Sequence, residues 1–226
     1  METSLLHRIE RGTTAVARER ARERDAAASN WRAAISELSG PGVTLREVQR
    51  QDAPALFSML TADEVKRFIS VPPTAVEGFE RFIAWSIAES AAGRSVSFGI
   101  VPDGFEMAVG LIQVRALEPG FGTAEWGFAM GSPFWGSGLF QTSAELVVDF
   151  VFKTMGVHRL EARAAVANGR GNGILRKLGA VHEGILRKSF LCNGKYVDQT
   201  LWSIVDDEWL RARSLAVKTM WRARVH

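Results

Sequence analysis

The chain alternates between two hydrophobic periods. Residues 43–48, "VTLREV", start with apolar Val43 and Leu45 alternating with polar Thr44 and Arg46, the period of a strand with one buried face. "QDAPALFSML" follows, with Asp52 where a helix N-cap belongs and Pro54 in the first turn. In "TAVEGFERFIAWSI", Thr74 and Glu77 have capping-box spacing, and Phe79, Phe82, Ile83 and Ile87 share one helical face. Period two then returns in "SVSFGIV", "MAVGLIQVRAL" and "AEWGFAM", punctuated by turn signals at "PDGF" and "EPGFG". After "MGSPFWGSG" the period lengthens again, placing Leu146, Val147, Phe150 and Val151 on one side of a helix. "HRLEARAAV" reads as a strand, "NGRGNGILRKLG" as a short helix stopped by Gly179, and "GILRKSFLCNGKYVDQTLWSIV" as two strands joined through "CNG". The predicted order is strand, two helices, three strands, helix, strand, helix, two strands.

The first forty residues break this pattern. "AVARERARERDAAASNWRAAISEL" is rich in helix formers and ends at the breaker "SGPG". Leu5, Leu6, Ile9, Val16, Trp31, Ile35 and Leu38 are too sparse to form a core of their own. Residues 1–41 are therefore expected to be a helical extension lying on the main domain or on a partner, and a chain starting at Gly42 is expected to fold alone. The main domain spans 42–210, and 211–226 form a basic tail.

Composition narrows the function classes. A chain of 226 residues, 46% hydrophobic and 23% charged, supports one substantial core with an appendage. A formal net charge of +3 without a concentrated basic stripe gives no reason to expect direct nucleic-acid binding. Cys192 is the single cysteine, so no internal disulfide can form, and no cluster has metal-ligand spacing. With neither a leader-like amino terminus nor a membrane-length apolar run, the expected location is cytoplasmic, without membrane contact.

Gly136 and Gly138 sit among bulky neighbours at the entrance of the helix that follows them. Glycine there frees the backbone for positive φ, and the outward-facing first-turn amides form a place where a phosphate can sit. A plain flexible turn would show the same pair. The pieces around it decide the matter by their order. "VTLREVQRQDAPALFSML", "AEWGFAM", "FWGSGLFQTSAEL", "VANGRGNGILRKLGAVHEGILRKSF" and "YVDQTLWSIVDDEW" together resemble the GNAT superfamily of N-acetyltransferases, and within it the RimJ/RimL-like branch of ribosomal-protein amino-terminal acetyltransferases, over residues 43 to about 209.

The resemblance implies a mixed α/β fold: a mostly antiparallel seven-stranded sheet with splayed middle strands, flanked by helices. It implies acetyl-CoA as acyl donor, with no metal, and as acceptor a primary amine, either a protein amino terminus or a small molecule. It leaves room for a homodimer. The loop amides of Gly136, Ser137, Gly138, Leu139 and Phe140 would hold the pyrophosphate, and backbone groups of Phe128, Ala129 and Met130 the pantetheine arm. Asn168 matches the asparagine that follows the next strand and would bond the pantetheine or a water near the thiol. Two positions depart from the pattern: Pro133 and Ser137 stand where the loop usually carries Gln or Arg and a basic residue. Positive charge for the phosphates would then come from Arg170, Arg176 or Lys177.

For the chemistry, Glu125 matches a glutamate facing the acceptor cleft and is the candidate base, either directly or through water; the alternative is a salt bridge that orders the cleft. A serine acid is excluded because Gly171 stands in its place; Tyr196, the single tyrosine, is a candidate acid, and solvent is the alternative, since a thiolate leaves readily. His158, His182, Cys192, Trp126, Trp202 and Trp209 read as structural, and Trp135 as a cover for the cofactor. Two further readings stay open: a non-catalytic acyl-CoA-binding regulatory or scaffold module, and transfer of another acyl group such as succinyl.

Overall fold

The computed structural model describes residues 31, 32, 35, 37–118, 121–192 and 194–224. The helices expected in the first thirty residues lie outside them. Eight strands form one sheet: β1 (Leu38–Gly40), β2 (Val43–Glu47), β3 (Ser95–Pro102), β4 (Gly110–Ala116), β5 (Thr123–Met130), β6 (Arg159–Ala165), β7 (Val181–Cys192) and β8 (Lys195–Val205). Their spatial order is β1-β2-β3-β4-β5-β6-β8-β7. Every neighbouring pair is antiparallel except β5 and β6.

Six α-helices flank the sheet among the described residues: α1 (Ala53–Leu60), α2 (Asp63–Lys66), α3 (Val76–Ala91), α4 (Leu139–Lys153), α5 (Gly169–Lys177) and α6 (Asp206–Arg224). Alternation along the strands sorts two cores. On one face Val96, Phe98, Ile100, Ile112, Val114 and Trp126 pack against Val147, Val148 and Val151 of α4 and Leu175 of α5. On the other, Val101 and Ala108 pack with Leu56 and Leu60 of α1 and Phe79 and Ile83 of α3. The residues of 211–224, read from sequence as a basic tail, continue α6 as helix.

The structure adds one strand to the seven expected. Leu38–Gly40 pairs with β2 instead of extending a helix, because Pro41 and Gly42 close a two-residue hairpin in which Gly42 takes φ +78. Trp31 also joins the main core: it is 1% exposed and meets Phe121 edge to face at 5.8 Å. Removing everything before Gly42 would therefore strip a strand and a buried indole from the domain.

Two capping expectations give way to tertiary contacts. No side chain caps α3, whose N-cap is Ala75, so Thr74 and Glu77 form no box. Its buried positions are Phe79, Ile83, Ser86 and Ser90, while Ile87 turns outward. Asp52 does not cap α1. It is fully buried, takes two hydrogen bonds of 2.8 Å from the Arg46 guanidinium, and accepts the amides of Gln49 (2.8 Å) and Ala108 (2.9 Å). Burial pushes the Asp52 carboxyl up, but Arg46 and the two amides outweigh it and hold it below its ordinary value.

Two stability predictions result. Trp31→Ala should cost about 3–5 kcal/mol, read from the denaturant midpoint; an unchanged midpoint would detach the segment from the core. Asp52→Asn should cost about 3–5 kcal/mol at neutral pH, because it strands the Arg46 charge. A depressed carboxyl stabilises above its unfolded pKa and loses that contribution as pH falls through the folded one. The gap between wild type and Asp52→Asn in urea unfolding should therefore narrow below the ordinary carboxylate range.

Candidate active site

The loop between β5 and α4 is built around two left-handed glycines. Gly136 has φ +79 and Gly138, the N-cap of α4, has φ +83; an added Cβ at either would meet nothing within 4 Å. Their constraint is thus conformational, and the space above them is open. The first intrahelical amide is Thr142, which donates to the Gly138 carbonyl at 3.1 Å. The amides of Phe140 and Gln141 lie in the first turn and have no intrahelical acceptor. Ser137 braces the loop from within: its hydroxyl donates to the Phe134 carbonyl at 2.8 Å and accepts the Leu139 amide at 3.3 Å. Phe140 anchors the helix entrance by packing on Phe128 of β5, with centroids 4.7 Å apart.

Of the three basic candidates, the structure brings Arg170 to this loop. Its guanidinium stacks over Trp135, 4.3 Å from the ring centroid. Arg176 lies over Trp202 instead, and Lys177 ends α5, eight residues beyond Gly169 and roughly 12 Å along the helix. Trp135 also donates its indole N–H to the Met130 carbonyl at 2.9 Å, so the ring that carries Arg170 is tied to β5.

A gap opens beside the loop. β5 and β6 pair only at Thr123↔Arg159, Ala124↔Leu160 and Glu125↔Glu161, and from Trp126 onward they part. On its other side β5 stays paired with β4 up to Gly110↔Met130. The Gly131 amide donates to Val109 and the Leu117 amide to Thr123, which fixes the alternation of that antiparallel ladder. The backbone groups of Phe128 and Met130 therefore face the gap, whereas those of Ala129 face Leu111 of β4. Ala129 is thereby corrected as a backbone partner for a ligand arm; Phe128 remains, and the Met130 carbonyl is held by Trp135.

The far wall of the gap is braced by a residue that the sequence did not single out. Asn172, buried in α5, donates to the carbonyls of Ala165 (2.9 Å) and Asn168 (2.8 Å), and accepts the Trp202 indole N–H at 2.9 Å. Asn168 caps α5, its Oδ1 accepting the Gly171 amide at 2.9 Å. A Cβ on Gly171 would come within 2.6 Å of the Asn168 Nδ2, so a serine there would have to displace this Asn168 rotamer.

On the α1–α3 side of the sheet, Glu125 lies between two guanidinium groups. Arg115, directly across on β4, binds one carboxylate oxygen, and Arg163 of β6 lies 3.5 Å from the other. Neither arginine stood out in the sequence, because cross-strand register brings them to Glu125. Tyr196 is 61% exposed and sits beside the β7–β8 turn, opposite Leu191. Ser203 occupies the row of Glu125 on β8, and Tyr196 is seven residues from it, roughly 20 Å of strand. The structure does not gather these two into one acid–base pair. The turn itself docks on the helical side, since Cys192 Sγ contacts the Arg67 carbonyl at 3.1 Å. His158 pairs with Asp206 at 2.8 Å, and His182 packs on Trp202, both outside the cleft. The described residues hold no group of three or more His, Cys, Asp or Glu side chains able to bind a metal, and no helix long and apolar enough to cross a membrane.

Comparison with known proteins identifies the family and the fold. The family model described as an acetyltransferase (GNAT) domain matches residues 43–181. The uncharacterized N-acetyltransferase YoaA of Bacillus subtilis (strain 168) is 30% identical over 166 residues, covering 71% of this chain and 92% of that protein. The uncharacterized N-acetyltransferase p20 of Bacillus licheniformis is 24% identical over 168 residues, 74% of this chain and 94% of that protein. Mycobacterium smegmatis RimJ, solved in complex with CoA-disulfide, superposes with a TM-score of 0.69 at 25% identity, covering 77% of this chain and 88% of that one.

The loop geometry makes a graded prediction for coenzyme A binding, measured by titration calorimetry. Gly138→Val should abolish measurable affinity, because a β-branched residue resists φ +83 and fills the open approach. Arg170→Ala should weaken binding about tenfold, as expected for one charge-assisted contact. Ser137→Ala should change it least, since every amide remains. Equal affinities across the three would remove this loop from the ligand site.

Proposed function

Because the chain belongs to the GNAT acetyltransferase family, we propose that it transfers the acetyl group of acetyl-CoA to a primary amine by direct attack on the thioester, and that the amine is the free amino terminus of a polypeptide. The observation that carries the reading is the union of three features at one end of β5: open first-turn amides at left-handed glycines, Arg170 fixed on Trp135, and a strand edge at Phe128 facing a gap. Phosphates fit the first two, and an amide-bearing arm fits the third.

Attack by the amine forms a C–N bond and breaks the C–S bond. The amine gives up one proton, and the thiolate finally takes one. An α-amine needs modest help, since with a pKa near 7.8 about one molecule in seven is already neutral at pH 7, against about one in 2,500 for a lysine side chain. Glu125, beside the start of the gap, is the proposed acceptor of that proton through water, with Arg115 and Arg163 fixing its orientation. Solvent supplies the thiolate's proton, because Tyr196 stands far along β8.

Charge favours an α-amine over a polyamine. The carboxylates that β5, β6 and β7 carry on this face are all matched: Glu125 by Arg115 and Arg163, and Glu161 and Glu183 by Arg159 at 2.8 and 2.9 Å. No surplus negative charge is left there to hold a polycation.

A thiol-release assay over a panel of peptide amino termini and polyamines, with product masses, tests this reading. Binding of acetyl-CoA without release for any amine would favour the non-catalytic module, and products only from polyamines would overturn the acceptor class. With the acceptor that the panel identifies, Glu125→Gln should lower turnover by about a hundredfold at pH 7 with little change in coenzyme affinity. Raising the pH toward the amine's pKa should recover part of that loss. A rate that stays near wild type throughout makes Glu125 a purely structural ion-pair partner.

A further inference from the structure

The α1–α3 face of the sheet carries a chain of hydrogen-bonded polar side chains. Ser86 of α3 and Ser97 of β3 are each 1% exposed, buried where apolar side chains would pack. The Ser97 hydroxyl donates to Ser86 Oγ at 3.3 Å and accepts the side-chain amide of Gln113 on β4 at 3.0 Å. Ser97 and Gln113 are register partners, and Gln113 is also the register partner of Gly127 on β5. Two buried hydroxyls are thus aligned behind one partly exposed amide, whose neighbour on the other side has no side chain.

Gly127 is exposed, and an added Cβ would meet nothing within 4 Å. It does not have a positive φ, so neither backbone strain nor close packing calls for glycine there. What glycine supplies is room on the sheet, one residue from Phe128 at the gap and two from Glu125. Because Nε2 of Gln113 is turned to Ser97, its Oε1 is left as an acceptor with no donor among the described residues.

We propose that Gln113 positions the acceptor, its Oε1 taking a hydrogen bond from the amine nitrogen as the amine lies over Gly127, with Ser97 and Ser86 holding the amide in that orientation. The inference rests on the acetyl-transfer reading for what the bound amine does next. In this arrangement the nitrogen lies between Gln113 and the gap, with Glu125 in the neighbouring row of the same face. Gln113 acts on binding and Glu125 on the proton, so the two residues separate in kinetics.

The test uses the full chain, acetyl-CoA and a heptapeptide with a free amino-terminal alanine. Gln113→Leu should raise the peptide KM about tenfold or more while kcat, the acetyl-CoA KM and the melting temperature stay near wild type. Ser97→Ala, which frees the amide without removing it, should raise the peptide KM less. Gln113→Glu keeps the length and an acceptor oxygen, and should recover most of the loss; a Glu variant as poor as the Leu variant would overturn the role of that oxygen. A lower melting temperature with an unchanged peptide KM would show Gln113 to be structural and overturn the proposal. Side-chain amide NMR of the coenzyme A complex, titrated with the same peptide, provides a readout independent of turnover. A shift of the Gln113 amide without thiol release from wild type would sink the transfer reading and keep the binding site. Thiol release without that shift, and with the Gln113→Leu KM unchanged, would sink the positioning role and keep the transfer reading. Neither release nor shift would overturn both.

Discussion

The parting of β5 from β6 is the constraint on which the rest depends. Two parallel strands joined at three register pairs and then separated leave backbone groups that must be satisfied some other way or offered to a ligand. At Met130 the answer is the Trp135 indole, and at Ala165 it is the Asn168 backbone amide together with the side-chain amide of Asn172, itself held by Trp202. Phe128 is the position where the edge stays open to the gap. The side chains that close the two ends of the opening also fix its neighbours: Trp135 carries Arg170, and Asn172 locks the first turn of α5 through the Asn168 carbonyl. The gap is therefore a built feature, and its width does not depend on loop conformation alone.

The two faces of the sheet divide the labour. The face under α4 is apolar along its length and supplies most of the buried area. The face under α1 and α3 is apolar only near β3, β4 and the end of β5, and that smaller core is tethered by the buried Arg46–Asp52 pair, which joins β2, the entry to α1 and the β3–β4 connection in one network. Beyond it the sheet carries Gln113, Arg115, Glu125, Gly127 and Arg163, a polar shelf beside the gap. A ligand arm entering through the gap from the α4 side would meet an acceptor lying on this shelf.

The strand and helix order was legible because the hydrophobic period changes cleanly, and the left-handed glycines were legible because Gly136 and Gly138 flank a single serine before a strong helix. Features set by register or by long-range contact were not. Trp31 looked like one apolar residue in a charged stretch, and its burial depends on Phe121, ninety positions away. The phase of α3 was misread because Ile87 is apolar and Ser86 is not, yet the buried stripe runs through Phe79, Ile83, Ser86 and Ser90. Glu125 could be located by its strand, but its arginine partners come from two other strands. Asp52 carried a capping signature and was drawn instead to Arg46, a stronger partner than the amides of its own helix.

The loop's missing basic residues also find a physical reading. A flexible cation near a phosphate would supply charge at the cost of its own ordering. Here Pro133 and Ser137 stiffen the loop, the latter by bonding at both ends, so its amides are oriented before any anion arrives. The one arginine brought to the loop is already immobilised on an indole that is itself hydrogen-bonded to the sheet. Both sources of positive potential are thus pre-ordered, amides by φ and guanidinium by stacking, and little conformational entropy is left to lose on binding. A neutral loop sequence is compatible with the proposed anion site for that reason: the charge that the loop lacks stands across the gap on α5, joined to β5 through Trp135.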